Sequence, residues 1–347
     1  MHLLTRLLQL FFLRLQPELA HSLAHGLLKF GWFWKLMRPA FTLVEPRLQL
    51  TIVTSHGNLD FDNPIGLAAG WDKDCKSLSS LQQLGFGYIV GGTIMPRYQS
   101  GNKRPRVIRN LNELSLVNAL GFPSHGLDQV LPHLQRLKRN STKLVLSIAA
   151  VETEDFINSH NVVQPWSDAI ELDISSPNTK GLQLFHEKGV LTDLLSRIND
   201  QKFKPIFVKL PEITDEDSNN SILMIAKICL DNDIEGFTAG NTIPVQEPRL
   251  STKQGGLSGD PIFPAMIESV KQLRRSFGQS IIINACGGIS TPKRAIQALA
   301  AGATTVQLLT AFNYKGPLIS KILNTGIMSH MAAKNYTKLL DIYNSKP

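Results

Sequence analysis

The sequence predicts an α/β fold, a (β/α)₈ barrel or TIM barrel, behind an N-terminal helical extension. Eight short apolar runs rich in β-forming residues recur along the chain, which is typical of parallel strands covered on both faces. Stretches long enough for a helix separate most of these runs, as between residues 291 and 301. Eight such units over about 280 residues suit a closed barrel better than an open doubly wound sheet, whose strand–GxGxxG–helix fingerprint is missing from the sequence.

The predicted strands are Ile65–Ala69, Tyr88–Gly92, Leu144–Ala149, Ala169–Ile174, Ile206–Leu210, Glu235–Ala239, Ile281–Cys286 and Thr304–Leu309. Segments 100–125 and 150–168 are rich in proline, glycine or polar residues. We expect both to be loops over one face of the barrel.

The composition is that of a folded protein from a reducing compartment. Of 347 residues, 43% are hydrophobic and 18% charged, which excludes a disordered, collagen-like or coiled-coil chain. Cys75, Cys229 and Cys286 are too few and too scattered for a disulfide framework or a zinc site, and no metal site is predicted. The net charge is +8, but the sequence has no dense basic patch interleaved with aromatic residues, so no nucleic-acid partner is expected.

Residues 1–40 form a separate, basic and amphipathic element. The first 50 residues hold six basic and two acidic side chains, so half of the net charge lies there. Arg6 and Arg14 interrupt the apolar run, which therefore suits neither a signal peptide nor a membrane-spanning helix. Leucines at helical spacing predict one helix before Pro17 and a second that begins at Pro17 and is stopped by Gly31.

Two interpretations of this element remain open on the residues alone. Trp32, Phe33 and Trp34 beside Lys35 and Arg38 are typical of a segment at a membrane interface. A helical cap over one barrel end, with its leucines facing protein, explains the pattern equally well.

In such barrels the chemistry lies at the carboxyl ends of the strands. Lys73 and Lys209 fall there, and buried lysines are costly unless they face an anion or an electron-rich ring. Asparagines offer both donors and acceptors, which suits a flat heterocycle with alternating N–H and C=O edges, and three candidates are Asn118, Asn178 and Asn241. Ser176 suits either a weak proton acceptor or a hydroxyl that caps a turn.

Three glycine-rich edges indicate a phosphorylated ligand. Gly287 and Gly288 follow the seventh predicted strand, Thr310 follows the eighth, and residues 255–259 supply the third edge. Backbone N–H groups at the last two strand ends commonly hold phosphate in this fold. The alternative is that these glycines serve turn geometry alone.

Five strings occur in order along the chain: NPIGLAAGWDKD (63–74), SGNKRPRVIR (100–109), SSPNTKGL (175–182), GGLSGDP (255–261) and AAGATTVQ (300–307). They resemble the dihydroorotate dehydrogenases, specifically the quinone-dependent, membrane-associated class. The resemblance implies a lid over residues 1–42, which docks on a membrane and admits a quinone, and an FMN-binding barrel over residues 43–347. The expected location is peripheral, at a bacterial cytoplasmic (inner) membrane.

The resemblance also implies a reaction: oxidation of (S)-dihydroorotate to orotate in pyrimidine biosynthesis, with electrons passed to a membrane quinone. Ser176 would remove the C5 proton while hydride passes to flavin N5. The implied FMN positions are Ala68, Ala69, Gly70, Lys73, Thr93, Ser147, Asp173, Lys209, Gly240, Ser258, Gly259, Gly287, Gly288, Leu309 and Thr310. The implied substrate positions are Lys73, Asn118, Phe122, Asp173, Asn178, Asn241 and Thr242. His21 and Arg109 would line the quinone passage.

Several positions depart from the family pattern, which has Asn at Ser147 and Asp173, Thr at Gly240, Tyr at Leu309, Arg at Gln183 and Asn at Pro123. Asp173 is the sharpest departure, because a carboxylate only accepts hydrogen bonds where an amide also donates. We expect Asp173 to take up a proton, to pair with a lysine such as Lys209, or to face a ligand with an extra donor or positive charge. Two further hypotheses stay open: an FMN oxidoreductase for another cyclic amide or amine, and a degenerate, non-catalytic barrel.

Overall fold

The structure is a computed structural model that describes residues 9–175 and 181–343. Ser176 and Asn178, two of the predicted site residues, lie outside the described residues. The described strands are β1 (Leu50–Thr54), β2 (Gly57–Phe61), β3 (Ile65–Leu67), β4 (Tyr88–Ile94), β5 (Val107–Asn110), β6 (Ser115–Asn118), β7 (Lys143–Ile148), β8 (Ala169–Asp173), β9 (Ile206–Leu210), β10 (Gly236–Ala239), β11 (Ile243–Gln246), β12 (Gln254–Gly259), β13 (Ile282–Cys286) and β14 (Thr305–Leu308).

A closed parallel barrel of eight strands forms the centre of the fold. The strands pair around it in the order β3, β4, β7, β8, β9, β10, β13 and β14, and β14 pairs again with β3. Every residue of β4, β8 and β9 is buried, as near-continuous apolar runs require. The predicted (β/α)₈ barrel and all eight of its strands are therefore confirmed, with ends that differ by up to two residues.

Helices cover the outside of the barrel and precede it at the N-terminus. The described helices are α1 (Pro17–Leu28), α2 (Gly31–Phe41), α3 (Leu78–Leu81), α4 (Leu127–Gln135), α5 (Thr153–Val163), α6 (Lys188–Asn199), α7 (Glu216–Asp231), α8 (Phe263–Phe277), α9 (Pro292–Ala300), α10 (Thr310–Lys315), α11 (Ile319–Ala333) and α12 (Leu340–Tyr343). The helix expected near residues 291–301 is α9. The side chain of Thr291 caps its N-terminus by accepting a hydrogen bond from the backbone N–H of Arg294.

Two segments predicted as loops contain regular structure, so those predictions were wrong. Segment 100–125 holds β5 and β6, which join β11 and β12 in a four-stranded antiparallel sheet. Segment 150–168 holds α5, where Phe156, Ile157 and Val163 form a buried face at helical spacing. Ser159 and His160 are also buried, and these polar residues hid the apolar pattern. Gly31 does not stop α1, which ends at Leu28, and instead begins α2.

The hairpin β1–β2 closes the amino end of the barrel. The ring centroids of Phe61 and Tyr88 lie 5.0 Å apart, and Ile52 and Leu59 join the same buried cluster. The carboxyl ends of the strands therefore form the open end, where the functional residues of this fold are expected.

The N-terminal extension packs on the barrel through polar contacts. Residues 9–14 are helical and lead into α1 and α2. Glu18 accepts a hydrogen bond from Nε of Arg106 at 3.0 Å and pairs with Nε of Arg104 at 3.2 Å. The hydroxyl of Ser80 donates to the carbonyl of Leu28 at 2.6 Å. The boundary between lid and barrel at residue 42 stays a prediction. Of the helices within residues 9–175 and 181–343, none has the length and apolarity to cross a membrane.

Candidate active site

A cavity of about 210 Å³, which we call the polar cavity because charged and amide side chains line part of it, opens at the carboxyl ends of the barrel strands. The predicted site residues on its wall are Ala68, Ala69, Gly70, Lys73, Thr93, Asn118, Phe122, Asp173, Lys209, Asn241, Thr242, Ser258, Gly259, Gly287, Gly288, Leu309 and Thr310. The barrel thus brings into one cavity groups that are scattered over most of the chain. Their individual roles stay predictions.

Lys73 is a cation without a counter-ion on the cavity wall. Among the described residues, its ammonium makes no hydrogen bond and no ion pair. Burial, followed by the charges of Lys209 and Arg106, lowers the pKa of Lys73 to about 8. Such an ammonium can donate hydrogen bonds to an anionic ligand, which would restore its lost solvation.

Asp173 meets Lys209 directly, which is one of the three outcomes expected for it. Oδ2 of Asp173 lies 3.6 Å from Nζ of Lys209. Oδ1 accepts the hydroxyl of Ser175 at 2.6 Å and its N–H at 3.2 Å. The side chains of Asp173 and Lys209 are only 4% and 11% exposed, so the pair lies in a region where charges interact strongly.

Two glycines keep the backbone bare beside the cavity. Gly288 has a left-handed φ of +64°, and a Cβ there would lie 2.8 Å from N of Phe263. Gly259 has a φ of +99°, and its Cβ would lie 2.3 Å from the carbonyl oxygen of Leu114. No other residue type fits these positions without strain. The loop is held further by Arg294, whose Nη1 donates to the carbonyl of Gly288 at 2.9 Å.

Hydroxyls complete this edge of the cavity. The hydroxyl of Thr310 donates to Oγ of Ser258 at 2.9 Å, so residues from β12 and the end of β14 meet. Residues 255–259, predicted as a glycine-rich edge, belong to strand β12 of the four-stranded sheet. Bare backbone amides with neighbouring hydroxyls can bind a phosphate or another anion.

Two predicted FMN positions lie off the cavity wall. Ser147 is fully buried behind Thr93, with 3.0 Å between the two hydroxyl oxygens. Gly240 has a φ of +110°, and its Cβ would lie 2.2 Å from the carbonyl oxygen of Cys286. The Thr that the family pattern has there does not fit this backbone. The roles proposed for Ser147 and Gly240 stay untested predictions.

A second, mostly apolar cavity of about 560 Å³ lies between the extension and the barrel. Helices α1 and α2 supply much of its wall, including Ala24, Leu28, Trp34 and Met37. The two cavities share wall residues, and these are Gly70, Lys73, Asn118, Leu120, Ser258 and Leu309.

His21 and Arg109, predicted for a quinone passage, both line the apolar cavity. Nη1 of Arg109 donates to the carbonyls of Phe12, Leu13 and Leu15 at 3.3, 2.9 and 3.1 Å, and so caps the end of the first helical segment. Burial, followed by the charges of His25 and Lys73, lowers the pKa of His21 to about 3.

Several residues of the two sites escaped the sequence analysis. His25 lies with its Nε2 3.1 Å from Nε2 of His21, and the i, i+4 spacing on one helical face was an available signal. Glu171 stands two residues before Asp173 on β8, so the alternation of a strand places both on one face. Cys286 ends the seventh predicted strand and Glu212 follows the fifth by two residues, so the strand-end rule was an available signal for both. No three His, Cys, Asp or Glu side chains of the described segments could hold a metal ion together.

The fold and the two cavities define a TIM-barrel protein whose polar cavity adjoins an apolar cavity beneath N-terminal helices. A family profile described as dihydroorotate dehydrogenase matches residues 51–331. The dihydroorotate dehydrogenase (quinone) of Thermus thermophilus is 32% identical over 345 residues, which cover 95% of this chain and 97% of that protein. The protein of the same name from Coxiella burnetii is 35% identical over 344 residues, with coverages of 91% and 94%.

A solved structure is similar over nearly the whole chain. DHODH from Eimeria tenella in complex with ferulenol has a TM-score of 0.77 at 26% identity, and covers 94% of this chain and 95% of that one. The chain belongs to the dihydroorotate dehydrogenase family, in the quinone-dependent class of these relatives, and is an oxidoreductase.

Proposed function

We propose that the protein oxidises dihydroorotate to orotate at FMN in the polar cavity and reduces a membrane quinone in the apolar cavity. The observation that carries this proposal is the shared wall between the two cavities, which includes Gly70, Lys73 and Leu309. A redox ring lying against this wall would be reachable by a polar substrate from one side and by an apolar acceptor from the other. The names of the relatives, dihydroorotate dehydrogenase (quinone), support the same pair of substrates.

The polar cavity suits FMN in its chemistry. FMN supplies a ring that accepts hydride and passes electrons on singly or in pairs. The bare backbone at Gly259 and Gly288, with the hydroxyls of Ser258 and Thr310, would hold its phosphate. Lys209 and Thr93 would face its ring. This fit rests on the glycines, because a Cβ at either one would clash with neighbouring backbone and so displace the edge that would hold the phosphate.

The substrate fits the remaining polar groups. Lys73 lacks a counter-ion among the described residues and would bind the carboxylate of dihydroorotate. The amides of Asn118 and Asn241 would bind the N–H and C=O edges of the ring. Ser176, outside the described residues, would act as the base that removes the C5 proton.

The extension has the properties of a membrane-docking surface, which we propose for it. Large apolar side chains are exposed along the first helical segment, α1 and α2: Leu10, Phe11, Leu19, Leu23, Leu27, Phe30, Trp32, Phe33 and Leu36. Trp32 and Leu36 are 72% and 71% exposed. Lys29 and Lys35 are exposed beside them and suit anionic headgroups. Of the leucines on α1, Leu28 is buried, whereas Leu19 and Leu23 are exposed and lie off the wall of the apolar cavity, which favours a membrane over a simple protein cap.

The test is a spectrum of the detergent-purified protein under anaerobic conditions. We expect a flavin spectrum that bleaches on addition of L-dihydroorotate and recovers on addition of a short-chain ubiquinone analogue. The matched control is Lys73→Met, which keeps the stem of the side chain and should retain flavin that dihydroorotate bleaches far more slowly. A protein that neither carries nor binds FMN would overturn the proposal.

One observation favours a second candidate, an FMN oxidoreductase for another cyclic amide or amine. Asp173 presents only acceptors to the cavity, and both of its oxygens are oriented by Ser175 and Lys209. A ligand with an added donor or a positive charge would complement it. A flavoprotein that stays yellow with dihydroorotate, while an active relative bleaches under the same conditions, would favour this candidate.

A further inference from the structure

Asp173 and Lys209 face each other across neighbouring strands. They occupy paired positions in the parallel register of β8 and β9, and both side chains point to the cavity at the open end of the barrel. The distance from Oδ2 to Nζ is 3.6 Å. At this separation, each charge offsets part of the field of the other at a neighbouring group.

The hydrogen bonds around Asp173 suit a charged carboxylate. Oδ1 accepts two bonds from Ser175, and Oδ2 accepts the hydroxyl of Thr93 at 3.4 Å. The amide of Asn241 donates to Oγ of Ser175 at 2.6 Å, so the serine hydroxyl is left to donate to Asp173. Each of these hydrogen-bond partners is a donor, and a carboxylate without its proton is the form that only accepts.

Lys209 therefore differs from Lys73, although both line one cavity. Burial lowers the pKa of Lys209, but the charges of Asp173 and Glu171 outweigh burial and raise it above its usual value. Lys73 has no ion-pair partner within the described residues. The wall thus presents one bare cation at Lys73 and one neutralised cation at Lys209.

We infer that Asp173 is a positioning residue that acts through Lys209, cancels its charge toward the redox ring and so lowers the reduction potential of that ring. This inference rests on the proposed function, because it requires FMN in the polar cavity. Reduction adds negative charge to a flavin, and a bare cation nearby stabilises that charge where an ion pair stabilises it far less. FMN in this protein would thus be a weaker oxidant than FMN in a site where Lys209 had no carboxylate beside it.

The test compares midpoint potentials of FMN-loaded proteins, measured by equilibration with a reference dye. Asp173→Asn removes the charge, and its amide oxygen can still accept from Ser175. We expect the ratio of reduced to oxidised flavin at a fixed potential to rise at least tenfold, which is about 30 mV for a two-electron couple. Asp173→Ser serves as a second neutral variant in case the first does not fold.

The matched control is Glu171→Gln, two residues earlier on the same strand. Glu171 is buried, its Oε2 accepts the hydroxyl of Thr238 at 2.6 Å, and burial raises the pKa of its carboxyl above the usual value. Because the charge of Glu171 also acts on Lys209, though less than that of Asp173, Glu171→Gln should raise the ratio by less than Asp173→Asn does.

Each possible result either supports or overturns the inference about Asp173. An unchanged or lower potential in the FMN-loaded neutral variants overturns the inference and leaves the proposed function standing. Loss of FMN from both variants also overturns it, since Asp173 would then hold the cofactor rather than tune it. A wild-type protein that binds no FMN overturns the inference and the proposed function together. A raised potential in a protein inert toward dihydroorotate supports the inference and rejects only the substrate.

Discussion

Oε2 of Glu212 accepts the backbone N–H of Asn241 at 3.1 Å, across the ends of β9 and β10. Its other oxygen accepts the hydroxyl of Ser269, also at 3.1 Å. Room for this carboxyl exists because residue 240 is glycine, whose Cβ would otherwise lie 2.8 Å from Oε2. A buried carboxyl thus fixes the backbone of a residue that we propose to bind substrate.

The first prediction concerns stability and pH. Burial raises the pKa of Glu212 to about 8, from 4.5, and its hydrogen bonds only partly offset this. The folded state therefore binds a proton that the unfolded state releases, so this contribution to stability is full below pH 4.5 and is lost as pH rises toward 8. Glu212→Gln should remove a slope of up to about 1.4 kcal/mol per pH unit over that window.

Urea denaturation at pH 5, 6.5 and 8 measures this difference between wild type and variant. Glu187→Gln is the control, because that exposed carboxylate makes no capping hydrogen bond. A wild-type curve parallel to that of Glu212→Gln would contradict the assigned cause.

The second prediction concerns Gly240. A Cβ there meets the carbonyl of Cys286 at 2.2 Å, and φ is +110°. Gly240→Ala should therefore lower the free energy of unfolding by about 3 kcal/mol or more, since strain and overpacking add. Gly189→Ala is the matched control: nothing lies within 4 Å of its Cβ and it is helical, so the change should be within about 1 kcal/mol and stabilising. Equal effects in thermal or urea unfolding would refute the conformational requirement.

The sequence was sufficient for the barrel because its signals are local. The run Ile206–Leu210 is apolar around Lys209, and this placed both a strand and a site lysine without any tertiary information. Motifs at strand ends, such as Gly287 and Gly288, predicted residues of the cavity wall, because the fold places the carboxyl ends of all its strands on one side.

What was missed depends on partners distant in sequence. Nδ1 of His25 lies 2.8 Å from Oγ of Ser77, 52 residues away, and no periodicity encodes that contact. Strand β12 pairs with β6, more than 130 residues earlier in the chain, so the sequence alone did not predict it as a strand. Ser147 sits one layer behind the cavity because Thr93 covers it, which only the packed structure determines.

The third prediction concerns the ionisation of His21. Because burial, followed by the charges of His25 and Lys73, lowers its pKa to about 3, this imidazole should stay neutral from pH 8 to pH 5. The folded state then binds fewer protons than the unfolded state between pH 3 and 6.5, so this contribution to stability falls as pH falls through that window. Proton–carbon NMR of the histidine rings, with His21→Gln for assignment, measures it. A resonance of His21 that titrates near pH 6.5 would rule out this environment.

The fourth prediction concerns Lys73 and anions. Its pKa of about 8 means that the bare ammonium loses its proton above that pH. Affinity for orotate, which carries a carboxylate, should be constant from pH 6 to 7.5 and then fall about tenfold per unit above pH 8. Isothermal titration at several pH values measures this. Lys73→Met should abolish the dependence, whereas Lys76→Met, at an exposed lysine paired with Asp74, should leave it intact. A pH-independent affinity in the wild type would place the anion elsewhere.

The fifth prediction concerns the exposed apolar face of the extension. Trp32 and Leu36 lie four residues apart on α2 and are the most exposed of its large apolar side chains. A double Trp32→Ser, Leu36→Ser variant loses little buried surface, because both side chains are mostly exposed in the folded protein. Its free energy of unfolding should therefore match that of the wild type within about 0.5 kcal/mol. Its binding to anionic vesicles should weaken at least tenfold, because two inserted side chains each lose about 1.5–3 kcal/mol of burial. Co-sedimentation measures this, with Val53→Ser, an exposed residue of β1 that is 76% accessible, as the control. If the double variant binds vesicles as the control does, the membrane contacts a different face.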